Sequence, residues 1–259
     1  MAKTQPKTQT KPRADELIQQ YEAGLSQRRN FESYWQTLHD YYYIESQDLN
    51  RTYSNGNEVN ASVLWDATTL DCADVFASGF MNYLTPPTSK WFRLRHKNPD
   101  MQENRRVNGF LEDVASEVNS ALNRSNFYDQ MFPAYKSSGV YGTAPIFEEE
   151  DLIDDIRFYS LPLKQTIIVE DARGRVVKFY FEFEYTAEQA EGRWGLDSLT
   201  TELKEELKSG KSNKHKFLLF IAERHVRDPR KSDKRNMPVE AVWIDVSGRK
   251  IMDESGYNE

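Results

Sequence analysis

Six carboxylates fall within eight residues, at Glu148, Glu149, Glu150, Asp151, Asp154 and Asp155. Carboxylates that bridge Mg²⁺ or Mn²⁺ are the apparatus of two-metal phosphodiester hydrolysis, so this run is the first candidate for an active site. Consecutive loop residues rarely converge on one ion without a glycine-shaped turn, and no lysine or histidine stands beside the run as a partner. The competing reading is a solvated acidic hairpin loop facing DNA or the basic loop of another chain. Lys208-Ser209-Gly210-Lys211-Ser212 carries the ending of a phosphate-binding loop. The full pattern needs a glycine five positions before Gly210, where Glu205 stands. The motif also follows a helical pattern and precedes a strand, the reverse of the order in which a helix N-terminus cradles phosphate. It reads as a helix C-cap with a basic loop after it, and ATP hydrolysis is not expected.

Two basic stretches offer polyanion contacts. Arg93, Arg95 and Lys97, with His96, follow Trp91-Phe92, and Arg227, Arg230 and Lys231 lie in a loop with Lys234 and Arg235. Aromatics beside arginine stack bases, and lysines neutralise phosphates. A net charge of −7 argues instead for an edge guarded by charge and an ordinary solvated loop. The four histidines, His39, His96, His215 and His225, show no helical metal-ligand spacing and accompany no G-x-S-x-G serine. Cys72 is the single cysteine and cannot pair internally. It sits on an apolar helical stripe, where it reads as a small core residue suited to a reducing compartment. No catalytic, cofactor or metal residue is assigned, and the chain is not expected to be an enzyme.

The elements that would carry these residues divide into a helical part and a strand-rich part. Residues 1–13 hold Lys3, Lys7, Lys11 and Arg13 without an acid or an apolar segment, the pattern of a disordered basic tail. From 14 to 143 the spacing is helical. Phe31, Tyr34, Trp35, Leu38, Tyr41 and Tyr42 share one face, and a polar, turn-rich break spans 49–59. A second helix places Leu64, Trp65, Thr68, Cys72, Val75, Phe76, Gly79, Phe80 and Tyr83 on one stripe and ends at Pro86-Pro87. A third begins at Asn98-Pro99 and buries Val107, Phe110, Leu111, Val114, Val118 and Leu122. A fourth starts near Ser125, and Pro133 should kink it or limit it to its first turns.

From 144 to 259 the period changes to two. Strands are expected at 144–147, 156–159, 166–170, 175–185, 216–226 and 239–246. In the fourth of these, Val177, Phe179, Phe181, Phe183 and Tyr185 form the buried face, and Lys178, Tyr180, Glu182 and Glu184 the wet one. Asp171-Ala172-Arg173-Gly174 supplies the turn before it. Thr186 and Gln189 fit a capping box for a short helix that Gly195 closes from the left-handed region, and another short helix spans about 198–208. The class is α+β, a helical half packed on a mixed or antiparallel sheet. The longest apolar run, at 217–222, is far below the roughly 20 residues of a membrane span.

The segment Leu161–Gly195 resembles the head-to-tail connector (portal) proteins of short-tailed bacteriophages. It carries Pro162-Leu163-Lys164, Glu170-Asp171, Gly174-Arg175, Tyr185-Thr186-Ala187, Gln189-Ala190 and Trp194-Gly195 in the family's order. Four further segments are similar to that family. They are Asp71–Pro87 with Trp91-Phe92-Arg93-Leu94, Asn126-Phe127-Tyr128 with Gly139–Ala144, His225–Arg230, and Glu254-Ser255-Gly256-Tyr257. The resemblance implies a structural virion protein, a subunit of a dodecameric ring at one capsid vertex through which viral double-stranded DNA is packaged and ejected. It implies copies of the chain itself, terminase, scaffolding protein, capsid protein and a tail adaptor as partners. It also implies assembly in the host cytoplasm and no membrane. Residues 14–143 and 144–259 would be the helical and strand-rich parts of the subunit's wing. The channel-lining stem and clip would lie beyond Glu259, which makes the chain look like a fragment or truncated product, monomeric or weakly associated alone. The alternative is a metal-dependent nuclease or DNA-processing enzyme built on the 148–155 cluster.

Overall fold

The computed structural model describes residues 13–44, 66–151, 154–224 and 236–257. The chain is α+β, and its strands pair antiparallel throughout the described residues. It divides into two compact units, residues 1–30 with 165–259, and residues 31–164. The units do not follow the order of helices and strands along the chain, because the first turns of one helix join the sheet and a hairpin joins the helices.

The sheet unit is a five-stranded meander of β3 (Thr166–Glu170), β4 (Val176–Thr186), β5 (Lys214–Glu223), β6 (Val239–Asp245) and β7 (Lys250–Tyr257), in that spatial order. One face carries Ile167, Tyr180, Leu218, Phe220, Val242 and Ile244, all buried under Ala14, Leu17, Ile18 and Tyr21 of α1 (Arg13–Tyr42). This corrects the expected wet face of β4: Tyr180 is 1% exposed. Its polar neighbours are met by polar groups of the helix. Gln20 accepts from the Lys178 ammonium (3.0 Å) and the Tyr180 hydroxyl (3.0 Å), and Tyr21 donates to Glu182 (3.2 Å). Burial, with Glu182 beside it, pushes the Tyr21 phenol far above its ordinary pKa.

The opposite face is aromatic. Phe181, Phe183, Tyr185, Phe217 and Trp243 gather around Trp194 of α6 (Ala187–Trp194), with Trp194 ring centroids 5.0 Å from Phe217 and 5.6 Å from Trp243. The expected capping box is present, Thr186 accepting from the Gln189 amide while Gln189 accepts from that of Thr186. Gly195 closes the helix with φ 77° and ψ 157°, not from the left-handed helical region; this backbone is open essentially to glycine alone. α7 (Thr201–Ser209) follows and buries Leu203. Thr200 precedes it, but its hydroxyl donates to the buried Asp245 carboxylate (2.9 Å) instead of capping the helix. The Gly248 amide donates to the other Asp245 oxygen (3.0 Å), which ties the start of α7 to the β6–β7 turn. At the other end of the strands Arg13 and Arg224 share Glu240 and Glu254 in a four-charge lattice.

The helical unit holds the rest of α1 with α2 (Thr68–Leu84), α3 (Pro99–Gln102), α4 (Arg105–Arg124), α5 (Phe127–Tyr141) and the hairpin of β1 (Ile146–Asp151) and β2 (Asp155–Ser160). The single helix expected from Asn98 is two: Asn98 caps α3, and Asn104 restarts the chain by accepting from the amides of Arg106 and Val107. α5 runs through Pro133 to Tyr141, so the proline does not limit it to its first turns. Its cap Asn126 clamps β2 from both sides, donating to the Phe158 carbonyl (2.8 Å) and accepting from the Phe158 amide (2.8 Å). Leu122, Phe127 and Phe158 form the core there, and Trp91 stacks on Phe127.

α2 and α5 pack through Ala73, Ala77 and a Phe76 ring lying against Gly139, where a Cβ would approach Phe76 Cε1 to 2.5 Å. The stripe expected to be core is therefore mostly outside. Cys72 is exposed, not a core residue, Val75 is 72% and Tyr83 90% exposed, and Gly79 faces open space. Periodicity located the apolar stripe, of which Phe76 and Phe80 reach α5, but the buried residues of α2 are the alanines one position away, Ala73 and Ala77. Phe31, Tyr34 and Phe110 are likewise exposed on α1 and α4.

Candidate functional site

The acidic run lies on a strand and a turn, and the pleat takes it apart. Along β1 the burial alternates, with Glu148 and Glu150 exposed and Glu149 and Asp151 half-buried. Cross-strand register sets Glu149 opposite Arg157 and Asp151 opposite Asp155. Glu149 accepts from the Tyr159 hydroxyl (2.7 Å), and Asp151 accepts from the Asp154 amide (2.9 Å) with Arg157 4.0 Å away. Arg124, in the last turn of α4, pairs with Asp155 at 2.6 Å. Half of the carboxylates are thus bound by hydrogen bonds or cations, and Glu148 and Glu150 lie on the exposed face of β1, away from Glu149 and Asp151. No group of three possible metal ligands converges among the described residues. The arrangement can hold a hairpin and attract cations. It lacks the convergence that a two-metal site requires.

Gly210 ends α7 in the left-handed region (φ 65°), its amide donating to the carbonyls of Glu206 and Leu207 and that of Lys211 to Glu206 (3.3 Å). The SGKS segment is a C-cap. His215 lies 2.7 Å from Glu206, and Asn213 donates to the same carboxylate. Those two bonds hold Glu206 below the usual carboxylate range. His39 is buried beside Asp40 (3.3 Å), and the His96 ring accepts from the Asn98 amide (3.1 Å).

Arg93, Arg95 and Lys97 are exposed on the stretch that links α2 to α3, next to Trp91. Arg227, Arg230 and Lys231, like His225, lie outside the described residues. A relay of amides folds the linker onto the start of α4. Gln102 donates to the His96 carbonyl (2.9 Å), and Asn108 donates to the Gln102 carbonyl (2.7 Å). Arg105 and Arg106, absent from the candidates drawn from sequence, therefore join Arg95 and Lys97 at one corner. The signal was available: two arginines open a helix whose first turn has no acid, against the usual preference for anions at that end. Lys90 reaches Glu112 and Ser116, and this contact, with Arg93 adding a smaller pull, holds Glu112 below the ordinary carboxylate range. Sequence reasoning also missed Lys136, buried on α5 with its ammonium 2.6 Å from Asp74 and 5.0 Å above the Tyr43 ring.

The described residues of this α+β chain thus present exposed aromatic helix faces, a basic corner and an acidic hairpin. The chain belongs to the bacteriophage head to tail connecting protein family, whose model matches residues 14–259. It is 28% identical over 253 residues to the portal protein of Salmonella phage epsilon15, covering 95% of this chain and 45% of that protein. It is also 28% identical over 249 residues to the probable portal protein of Bordetella phage BPP-1, covering 93% of this chain and 44% of that protein. The chain thus spans slightly less than half the length of the curated relatives it matches.

Proposed function

We propose that the chain is the wing portion of a portal subunit, a structural virion protein that stands with copies of itself in a ring at one capsid vertex. The observation that carries this is the unbroken family match from residue 14 to residue 259, together with two relatives named as portal proteins. The exposed Tyr83, Val75, Phe110 and Tyr34 support it, because apolar side chains of this size on helix faces mark contacts with other chains. In this reading viral double-stranded DNA passes the ring during packaging and ejection. Terminase, scaffolding protein, capsid protein and a tail adaptor meet the complete subunit, and assembly takes place in the host cytoplasm. No helix among the described residues is long and apolar enough to cross a membrane. The role is mechanical and not enzymatic. Incubation with plasmid and Mg²⁺ or Mn²⁺ should leave DNA intact, and cleavage lost in Glu149→Ala would restore the nuclease reading.

Antibodies raised against this chain test the placement directly. On osmotically opened virions, immunogold particles should sit at a single vertex per capsid. Label distributed over all vertices, or along the tail alone, would refute the proposal.

A further inference from the structure

The two charged features of the helical unit stand at opposite ends of one rod. Arg95, Lys97, Arg105 and Arg106 gather at the N-terminal end of α4, where the amide relay through Gln102 and Asn108 fixes the linker against the helix. The β1–β2 hairpin is held at the C-terminal end of α4 by the Arg124–Asp155 pair. Twenty residues of helix separate the two by about 28 Å. That distance is several Debye lengths at physiological salt, so neither feature satisfies the other within one copy.

Each end is also unfinished. The four cations at the corner are exposed and pair with no carboxylate among the described residues, although Asp100 of α3 and its C-cap Glu103 lie between them in sequence. Arg105 and Arg106 stand at the positive end of the helix dipole, a placement that an anion from outside relieves. At the hairpin, Glu148 and Glu150 are exposed and likewise pair with no cation among the described residues, while Glu149, Asp151 and Asp155 are engaged internally. Exposed Leu94 and Phe110 lie close in sequence to the basic corner, and exposed Ile146 begins the acidic strand, so both surfaces have apolar side chains at hand.

We infer that the acidic edge of the β1–β2 hairpin in one copy docks on the basic corner at the start of α4 in the next. The partner is a second copy of this chain, an assignment that rests on the ring reading above and deepens it by naming the contact. Two different patches at the two ends of one rigid element make the interface heterologous, and a heterologous interface repeats head to tail until rotation closes it. Opposite charges orient the encounter and select the register, and the apolar neighbours supply contact area.

Charge exchange tests this. Two variants of the full chain are made, Arg95→Glu/Arg105→Glu at the corner and Glu148→Lys/Glu150→Lys at the hairpin, with thermal melts confirming folding. In sedimentation velocity at low salt, the unaltered chain should self-associate weakly, and 0.5 M salt should reverse the association. Each variant alone should associate about a hundredfold less or worse, because like charges then face each other. An equimolar mixture of the two should recover association, since the acidic corner of one variant then meets the basic hairpin of the other, and the two unaltered patches also complement each other. Association of the unaltered chain that survives both reversals overturns the assignment and leaves the ring reading standing. So does the absence of any association at low salt, since the ring reading concerns the complete subunit. If a labelled DNA duplex binds the unaltered chain and is lost in Arg95→Glu/Arg105→Glu while self-association persists, the corner is a nucleic-acid contact and the proposal fails. The ring reading itself fails separately, at the vertex-labelling experiment.

Discussion

Gly248→Ala tests how the sheet unit holds its aromatic face covered. The glycine sits where the β6–β7 turn meets the start of α7. A Cβ there would lie 2.5 Å from Thr200 Cγ2 and 2.7 Å from Asp245 Oδ2. Neither neighbour is a flexible tip. Thr200 begins α7, and Asp245 is 1% exposed and held by the Thr200 hydroxyl and the Gly248 amide. Making room means parting Thr200 from Asp245, which forfeits a hydrogen bond to a buried carboxylate, about 1.5–3 kcal/mol. Residual crowding adds about 1–3 kcal/mol. With a total near 3–5 kcal/mol, the midpoint of this unit should fall by roughly 10–15 °C. Trp194 and Trp243 belong to the same unit, so tryptophan fluorescence reports the transition. In a double-mutant cycle, Thr200→Ala should partly relieve Gly248→Ala, because it removes the methyl that clashes, with a coupling of about 1 kcal/mol. A Gly248→Ala midpoint within about 2 °C of the unaltered protein would refute the reasoning, because crowding at this contact would then cost less than 1 kcal/mol.

Gly79→Ala is the contrasting substitution: it lies within α2, and a Cβ there meets nothing within 4 Å, so the change should stabilise by about 0.5–1 kcal/mol in urea denaturation. Asp74→Ala should destabilise the helical unit by about 1.5–3 kcal/mol, since it removes the carboxylate 2.6 Å from the buried Lys136 ammonium, whereas Lys136→Met should lie within about 1 kcal/mol of neutral by the same assay. Acid stability should depend on Asp171 and Glu206. The Arg175 and Arg173 amides and the Arg175 guanidinium depress the first, and His215 and Asn213 depress the second. Because the unfolded carboxyls take up protons first, their stabilisation is complete above the usual carboxylate pKa of about 4 and is lost as pH falls through the lower folded values. Urea midpoints from pH 7 to pH 2.5 should therefore fall less steeply in Asp171→Asn/Glu206→Gln, and an unchanged slope would count against both contacts.

Local chemistry was legible and distant chemistry was not. The Thr186–Gln189 capping box, the Asp171 turn and the Gly210 cap each depend on a few consecutive residues, and each is present where the spacing placed it. The covered second face of β4 depends on Leu17, Ile18 and Tyr21, more than 150 positions upstream. Only the uninterrupted apolar run of β5 hinted that both faces are occupied. β7 escaped because Lys250–Tyr257 lacks alternation, and its register against β6 shifts between Trp243 and Ile244. The stripe on α2 shows the converse, since a period of three and four cannot tell a core from a surface awaiting another chain. For the acidic run, composition posed the question, but the answer came from cross-strand partners, Tyr159 and Arg157, and from Arg124 on a separate helix.

The seating of α1 on the meander has a consequence for synthesis. Strands that neighbour each other in space also follow each other in the chain, so the sheet can zip one hairpin at a time behind the ribosome. The opening helix cannot join so early, because Leu17 and Ile18 share their cluster with Val242 and Ile244, made more than 200 residues later. At bacterial elongation rates, roughly 5–20 residues per second, that is a wait of about 10–40 s with its greasy side uncovered. Nascent chains arrested before β6 should accordingly recruit holdase chaperones through residues 14–21, and release from them should coincide with emergence of the last strands.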